Sequence, residues 1–117
     1  MNIEEFYEYC LHKPFVTEEF PFGPETLVFK VAGKMFALAA LDETELKVNL
    51  KCDPDRAEEL RESFPEIQPG YHMHKKYWNT VHFHGSLSDS FLRELIDHSY
   101  ELVLDSLPKS KKKELGL

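Results

Sequence analysis

The sequence predicts an α+β fold, a two-layer α/β sandwich in which one antiparallel sheet carries its helices on one face. Apolar residues recur at three-and-four spacing in three segments, which is typical of amphipathic helices. In other segments they alternate with polar residues, most clearly at Leu46, Val48 and Leu50, which is typical of half-buried strands. The resulting element order is α-β3-α-β2-α, and residues 1–117 are predicted to form a single domain.

The first half of the chain is predicted to contain one helix and three strands. Asn2 and Glu5 form a capping-box pattern at the start of the helix, which ends before Pro14. The segment "FVTEEFPFGPE" combines two prolines with a glycine and predicts an ordered connector, neither helix nor strand. Residues 26–51 are rich in β-formers and predict three antiparallel strands, with turns near Gly33 and Asp42.

The second half is predicted to contain a helix, two strands and a last helix. Asp53 caps the helix, Pro54 occupies its first turn and Pro65 ends it. The two strands are expected around "YHMH" and "VHFH", joined across "KKYWN". The last helix is expected from near Ser88 to Pro108, and the basic tail at residues 108–117 is expected to fray.

Composition excludes several classes of protein. The chain has no apolar run of the roughly 20 residues that a membrane span needs, and it starts with the acidic "MNIEEFYEYC", so we expect a cytoplasmic protein without a membrane segment. Cys10 and Cys52 are the only cysteines, which supports neither a disulfide framework nor a cysteine-based zinc site. The net charge of −7 argues against a general polyanion binder.

The sheet face opposite the helices is predicted to be locally basic. If Leu27, Phe29 and Val31 face the helices, the outward side chains include Lys30, Lys47 and Lys51, with Glu45 as the one acid. The competing interpretation is that these charges only keep an exposed face soluble. A slip of one residue in strand register would invert every such assignment.

Four histidines lie close together in the sequence, at His72, His74, His82 and His84. Two H-x-H strands, if paired, could gather imidazole nitrogens for Zn²⁺. However, the stretch contains no acid or cysteine to complete a mixed ligand set, so structural or solvated histidines are favoured. We therefore expect no metal and no cofactor.

Trp78 and its basic neighbours have two interpretations. An exposed indole beside Lys75 and Lys76 could stack on a nucleic-acid base. A lone tryptophan in a small domain is more often packed in the core, which leaves the two lysines as contact candidates. The chain has neither a nucleophile-elbow motif nor a glycine-rich phosphate loop, so we do not expect an enzyme.

The sequence resembles the MmcQ/YjbR family of small bacterial proteins along nearly its whole length. The matching segments are "FPFG" at 20–23, "VFKVAGKMFAL" at 28–38, "LKCDP" at 50–54, "PGYHMHKKYWNTV" at 69–81 and "LIDHSYELV" at 95–103. The resemblance implies a fold similar to type III secretion chaperones and a double-wing arrangement whose sheet face meets DNA. It implies no catalytic residues.

The resemblance and the open sheet face together predict a DNA-binding protein that is not an enzyme. The residues expected to contact DNA are Lys30, Lys34, Lys47, Lys51, His72, Lys75, Lys76, Trp78 and Asn79. Members of the family usually have asparagine where this chain has His74. The competing hypothesis is a protein-interaction or chaperone-like module that uses the same face to dimerise or to hold a peptide.

Overall fold

The computed structural model describes residues 1–117 and has an α+β fold with four helices and one six-stranded antiparallel sheet. The helices are α1 (Ile3–Leu11), α2 (Pro54–Ser63), α3 (Asp89–Asp105) and α4 (Lys109–Glu114). The strands are β1 (Val16–Glu19), β2 (Thr26–Val31), β3 (Lys34–Ala40), β4 (Lys47–Lys51), β5 (Ile67–Pro69) and β6 (Trp78–His82). Their order across the sheet is β1-β2-β3-β4-β6-β5.

Side-chain caps start the three longer helices where the sequence predicted them. Asn2 and Glu5 form the reciprocal capping box of α1. The side chain of Asp53 accepts a hydrogen bond from the amide of Arg56 in α2, and Ser88 accepts one from the amide of Phe91 in α3. These local interactions satisfy orphan N–H groups, which is why the starts were readable from sequence.

The main hydrophobic core lies between the helices and alternate residues of the strands. Leu27, Phe29 and Val31 of β2 belong to it, as predicted, together with side chains of α1, α2 and α3. Phe6 of α1 packs edge-to-face on Phe29, with ring centroids 5.6 Å apart. The opposite face of the sheet carries a separate small cluster, formed by Val28, Leu38 and Trp78.

Three predictions about elements were wrong. The connector at residues 15–25 contains strand β1, which pairs antiparallel with β2 along its whole length. The strand expected at Tyr71–His74 is a loop, and the strand before β6 lies earlier, at Ile67–Pro69. The basic tail does not fray entirely, because Lys109–Glu114 forms α4.

Each difference has a physical reason. Pairing with a neighbouring strand supplies backbone hydrogen bonds to β1, and local sequence does not reveal that partner. Two amides of residues 70–77 donate within turns, from Met73 to the carbonyl of Gly70 and from Tyr77 to that of His74. In the tail, the amide of Lys112 donates to the carbonyl of Pro108 at 3.0 Å and that of Leu115 to the carbonyl of Lys111 at 3.1 Å, so local backbone hydrogen bonds form α4.

No helix of the protein is both long and apolar enough to cross a membrane.

Candidate nucleic-acid interface

The loop at residues 70–77 lies over the sheet face opposite the helices, and we call it the 70–77 loop. The amide of Tyr71 donates to the hydroxyl of Thr80 at 2.9 Å, and Asn49 donates its side-chain amide to the carbonyl of Tyr71 at 3.1 Å. Thr80 in turn donates its hydroxyl to Asn49. Two outward side chains of β4 and β6 therefore fasten the loop to the sheet.

Trp78 and Met73 hold the same loop by apolar contact. Trp78 begins β6 and is only 8 % exposed, because it packs with Val28 and Leu38 while Met73 and Met35 lie against this cluster. The interpretation of this tryptophan as a packed residue is confirmed, which argues against its place among the residues expected to contact DNA. Its indole is therefore not available as a stacking platform for a base in this conformation.

Gly70 is where the loop passes closest to the sheet. A Cβ built on Gly70 would lie 2.7 Å from the Cβ of Trp78 and 2.9 Å from its carbonyl oxygen. The amide of Gly70 donates to that same carbonyl at 2.9 Å. Only a residue without a side chain allows this approach, so Gly70 sets the path of the loop.

Five cations lie where β3 begins, β4 ends and β6 begins, and we call this region the basic end. They are Lys34, Lys51, Arg61, Lys75 and Lys76. None of them forms an ion pair with a carboxylate. Lys34 pairs with the core residue Val31 and so extends from the helix side of the sheet, whereas Lys51 pairs with Trp78 and extends from the open side.

The basic end is partly ordered by its own hydrogen bonds. Arg61 donates from its guanidinium to the carbonyl of Lys75 at 2.9 Å, and the ammonium of Lys75 donates to the carbonyl of Gly70 at 2.9 Å. The ammonium of Lys76 lies 5.6 Å from the ring centroid of Tyr77. His72 and His74 are exposed on the loop, and Tyr71 beside them is 67 % exposed. The result is an exposed surface of cations and aromatic rings.

Two of the predicted contact lysines are neutralised by acids. Lys30 pairs with Glu19 at 3.2 Å, and Lys47 pairs with Glu43 at 2.9 Å. The sequence expectation of Glu45 as the one acid on this face was therefore wrong. Glu19 reaches Lys30 from the neighbouring strand β1, and Glu43 reaches Lys47 from the turn before β4.

Asn79 occupies the other face of the sheet. Its side chain is buried, and its amide nitrogen lies 3.3 Å from the carbonyl of Ala57 in α2, to which it donates. The side-chain oxygen of Asn79 has no hydrogen-bond partner. Asn79 therefore joins β6 to α2 and is not on the surface where Lys51 and Lys76 lie.

The four clustered histidines do not come together. His72 and His74 lie on the 70–77 loop at the start of β6, whereas His82 ends β6 and His84 follows it. Residues 78–81 of β6 separate the two pairs in the sequence, and the only group of possible metal ligands contains His82 and His84 without His72 or His74. The predicted arrangement of two paired H-x-H strands was wrong because "YHMH" is a loop.

Three residues on or beside the 70–77 loop were not predicted from the sequence, namely Arg61, Tyr71 and Tyr77. Arg61 lies in α2. The sequence did not show that its guanidinium would reach the carbonyl of Lys75, because that contact depends on the path of the chain after α2. Tyr71 and Tyr77 were overlooked beside the more distinctive tryptophan. If the segment "GYHMHKKYW" is interpreted as a loop, its mixture of polar and aromatic residues predicts that some of the rings are exposed.

Comparisons with known proteins assign the family. The YjbR family model matches residues 11–102, most of the chain. The chain belongs to the YjbR family. The resemblance inferred from the sequence motifs is thereby confirmed.

Relatives within the YjbR family match over most of their length. The chain is 42 % identical over 106 residues to the uncharacterised protein YbdF of Escherichia coli O157:H7, covering 91 % of this chain and 87 % of YbdF. It is 35 % identical over 115 residues to the uncharacterised protein YjbR of Escherichia coli strain K12, covering 98 % of each.

Solved structures share the fold. The crystal structure of Deinococcus radiodurans protein DR2400, with a DUF419 domain, superposes with a TM-score of 0.92 at 42 % identity, covering 99 % of this chain and 88 % of that one. A crystal structure of a Pseudomonas syringae protein superposes with a TM-score of 0.77 at 29 % identity, covering 88 % of this chain and 99 % of that one. These similarities support the fold and the family.

Proposed function

We propose that this protein binds DNA, without catalysing a reaction, through the basic end of its open sheet face. The observation that carries the proposal is the group of unpaired cations, because Lys51, Lys75 and Lys76 have no carboxylate to displace before they meet a phosphate. The exposed Tyr71 and Tyr77 add rings that could contact sugars or bases.

The rest of the molecule limits the strength of this binding. The net charge is −7, so the body of the protein repels a polyanion outside the basic end. Lys30 and Lys47 are engaged by Glu19 and Glu43 and contribute less than the sequence suggested. Modest affinity that falls with added salt is therefore expected, because a handful of phosphate contacts supplies it.

The test is fluorescence anisotropy of a labelled DNA duplex titrated with the protein across a salt series. We expect the logarithm of the association constant to fall linearly with that of the salt concentration, by about 0.9 for each phosphate contacted. Lys76→Glu and Lys51→Glu should each weaken binding and make the slope shallower. Lys113→Glu in α4 makes the same change of charge outside the basic end and should have a smaller effect.

Two results would overturn the DNA proposal. One is no binding even at low salt. The other is equal weakening by Lys113→Glu and Lys76→Glu, because attraction would then depend on overall charge and not on the basic end.

A second candidate function is self-association through β1, which forms one edge of the sheet. Three aromatic residues flank this strand in exposed positions, namely Phe15, Phe20 and Phe22, the last 61 % exposed. An edge strand with exposed apolar neighbours suits pairing with the same strand of a second copy. Light scattering after size-exclusion chromatography should then show a dimer that resists salt and is lost in Phe22→Ser but kept in Tyr71→Ser.

A further inference from the structure

Three side chains with metal-binding atoms converge at the end of β6 opposite the basic end, and we call this region the histidine end. They are Glu45, His82 and His84, and their possible ligand atoms all lie within 4.8 Å of one another. A ring nitrogen of His84 is 3.0 Å from a carboxylate oxygen of Glu45, and the two histidine ring centroids are 5.5 Å apart. We propose that these three residues bind a divalent transition-metal ion such as Zn²⁺.

The backbone register places the three side chains on one face. Lys47 of β4 pairs with His82 of β6, and the amide of Phe83 donates to the carbonyl of Leu46 at 2.9 Å, which extends the pairing beyond the strand ends. The next opposed residues are Glu45 and His84. Phe83 is buried in the core, so by alternation His82 and His84 point to the other face. The convergence therefore follows from strand pairing rather than from loose surface side chains.

The donor atoms and their spacing suit a metal ion of borderline hardness, which accepts both nitrogen and oxygen ligands. Two imidazoles and one carboxylate are a common set of three protein ligands for Zn²⁺, which then takes a fourth ligand from solvent or a bound molecule. Ligand atoms around tetrahedral zinc are about 3.3 Å apart, so the three must close in from their present separation. The side chains of Glu45 and His84 are 56 % and 39 % exposed, which leaves them room to rotate.

A groove adjoins the three residues and offers space for that fourth ligand. Glu45 and His84 form part of its wall, and its volume is about 790 Å³. The wall also includes the N-terminal residue Met1, whose ammonium group pairs with Asp89 at 2.7 Å. A metal held by these ligands would therefore be reachable from solvent.

Acids predominate among the charged side chains that surround the three residues. Lys47 is the one cation beside the site, and Glu43 holds it in an ion pair. Glu66 is a further acid near His82, and its carboxylate accepts hydrogen bonds from the amide and hydroxyl of Ser86.

The test is isothermal titration of the protein, purified without a histidine tag, with Zn²⁺, and absorption spectroscopy with Co²⁺ as a probe of coordination geometry. We expect one ion per chain and a tetrahedral Co²⁺ spectrum. His82→Ala, His84→Ala and Glu45→Gln should each weaken binding at least about 10-fold, the loss that even the outer partners of metal ligands cause. His72→Ala and His74→Ala remove exposed histidines of the 70–77 loop and should leave affinity unchanged.

Glu45→Gln keeps the shape of the side chain, so it separates loss of a ligand from loss of folding. Circular dichroism of each metal-free variant confirms that it is folded. The absence of stoichiometric binding would overturn the proposal, as would equal weakening by His72→Ala and His84→Ala. Since DNA binding is measured on other residues in metal-free buffer, either proposal can fail without the other.

Discussion

The basic end and the histidine end lie on the same two strands, yet they are built differently. At the basic end the 70–77 loop covers Trp78, and backbone hydrogen bonds hold the loop on the sheet. At the histidine end the side chains of His84 and Lys47 are instead paired with the carboxylates of Glu45 and Glu43. The comparison shows that the groups available to a ligand depend on the contacts around a strand as well as on the residues of the strand itself.

The basic end and the histidine end also differ in rigidity and in how their charges are paired. The cations of the basic end are unpaired, and the loop that carries two of them is fixed by packing and hydrogen bonds. Such a surface is ordered before a ligand arrives, which reduces the entropy that binding must remove. At the histidine end the side chains of Glu45 and His84 are exposed and can rearrange around an ion, whereas His82 is half-buried. Three substitution experiments test this contrast.

The largest expected effect is the loss of the packing beneath the loop. Trp78→Ala removes the buried indole that joins Val28, Leu38 and Met73, and should lower the free energy of unfolding by about 3–5 kcal/mol. Urea denaturation followed by circular dichroism measures it. Tyr77→Ala, at the exposed neighbour, should cost about 1 kcal/mol or less. Equal costs would mean that the loop is not fastened through Trp78.

A smaller effect is expected from adding one methyl group at each end. Gly70→Ala places a Cβ against the Cβ and carbonyl of Trp78, which cannot move without the strand, and should cost about 1–3 kcal/mol. Gly85→Ala at the histidine end meets the Cγ of Glu66 at 2.7 Å. That side chain can turn aside by giving up its exposed hydrogen bonds to Ser86, so the cost should be about 1 kcal/mol and smaller than that of Gly70→Ala. Thermal unfolding measures the stability lost in each variant. A larger loss in Gly85→Ala than in Gly70→Ala would contradict the difference in rigidity between the two ends.

The smallest effect concerns pH at the histidine end. Burial first, and then the charges of Lys47 and His84, lower the pKa of His82 below its usual value of about 6.5. The unfolded chain therefore binds more protons as the pH falls through about 6.5 toward the lowered pKa. The stability that the neutral ring contributes is complete above about pH 6.5 and is lost below it. Unfolding free energy should thus decrease on acidification through this window.

Urea titrations at about pH 7.5 and about pH 5.5 would measure that decrease. His82→Gln should reduce it only in part, because burial also lowers the pKa of His98. Lys47→Gln should reduce it too, since the charge of Lys47 is one of the causes, whereas Lys76→Gln at the basic end should not. An unchanged decrease in His82→Gln would refute the assignment to His82.

Much of the fold was predictable because its signals are local. The start of α3 at Ser88 and the first turn of α2 at Pro54 follow from caps that act within one helical turn. The inward set of Leu27, Phe29 and Val31 follows from alternation. The strand β1 was missed because its partner β2 lies beyond a turn rich in proline and glycine, which locally resembles a connector.

The candidate sites were predictable only in part. The sequence identified Lys51 and Lys76 as exposed cations, and both lie at the basic end without a carboxylate partner. It also placed His72 and His84 in one cluster, although β6 separates them. Local alternation in "YHMH" imitates a strand, but the turn after Gly70 and the hydrogen bonds to Asn49 and Thr80 make it a loop.

By itself the sequence determined the family, the helix starts and the apolar residues that face the core, because caps, turns and periodicity act between near neighbours. Only the tertiary structure decided that Glu19 and Glu43 neutralise two lysines, and that Glu45 stands beside His84. Charge interactions depend on distances between side chains, and these are set by the register of strands that are far apart in the chain.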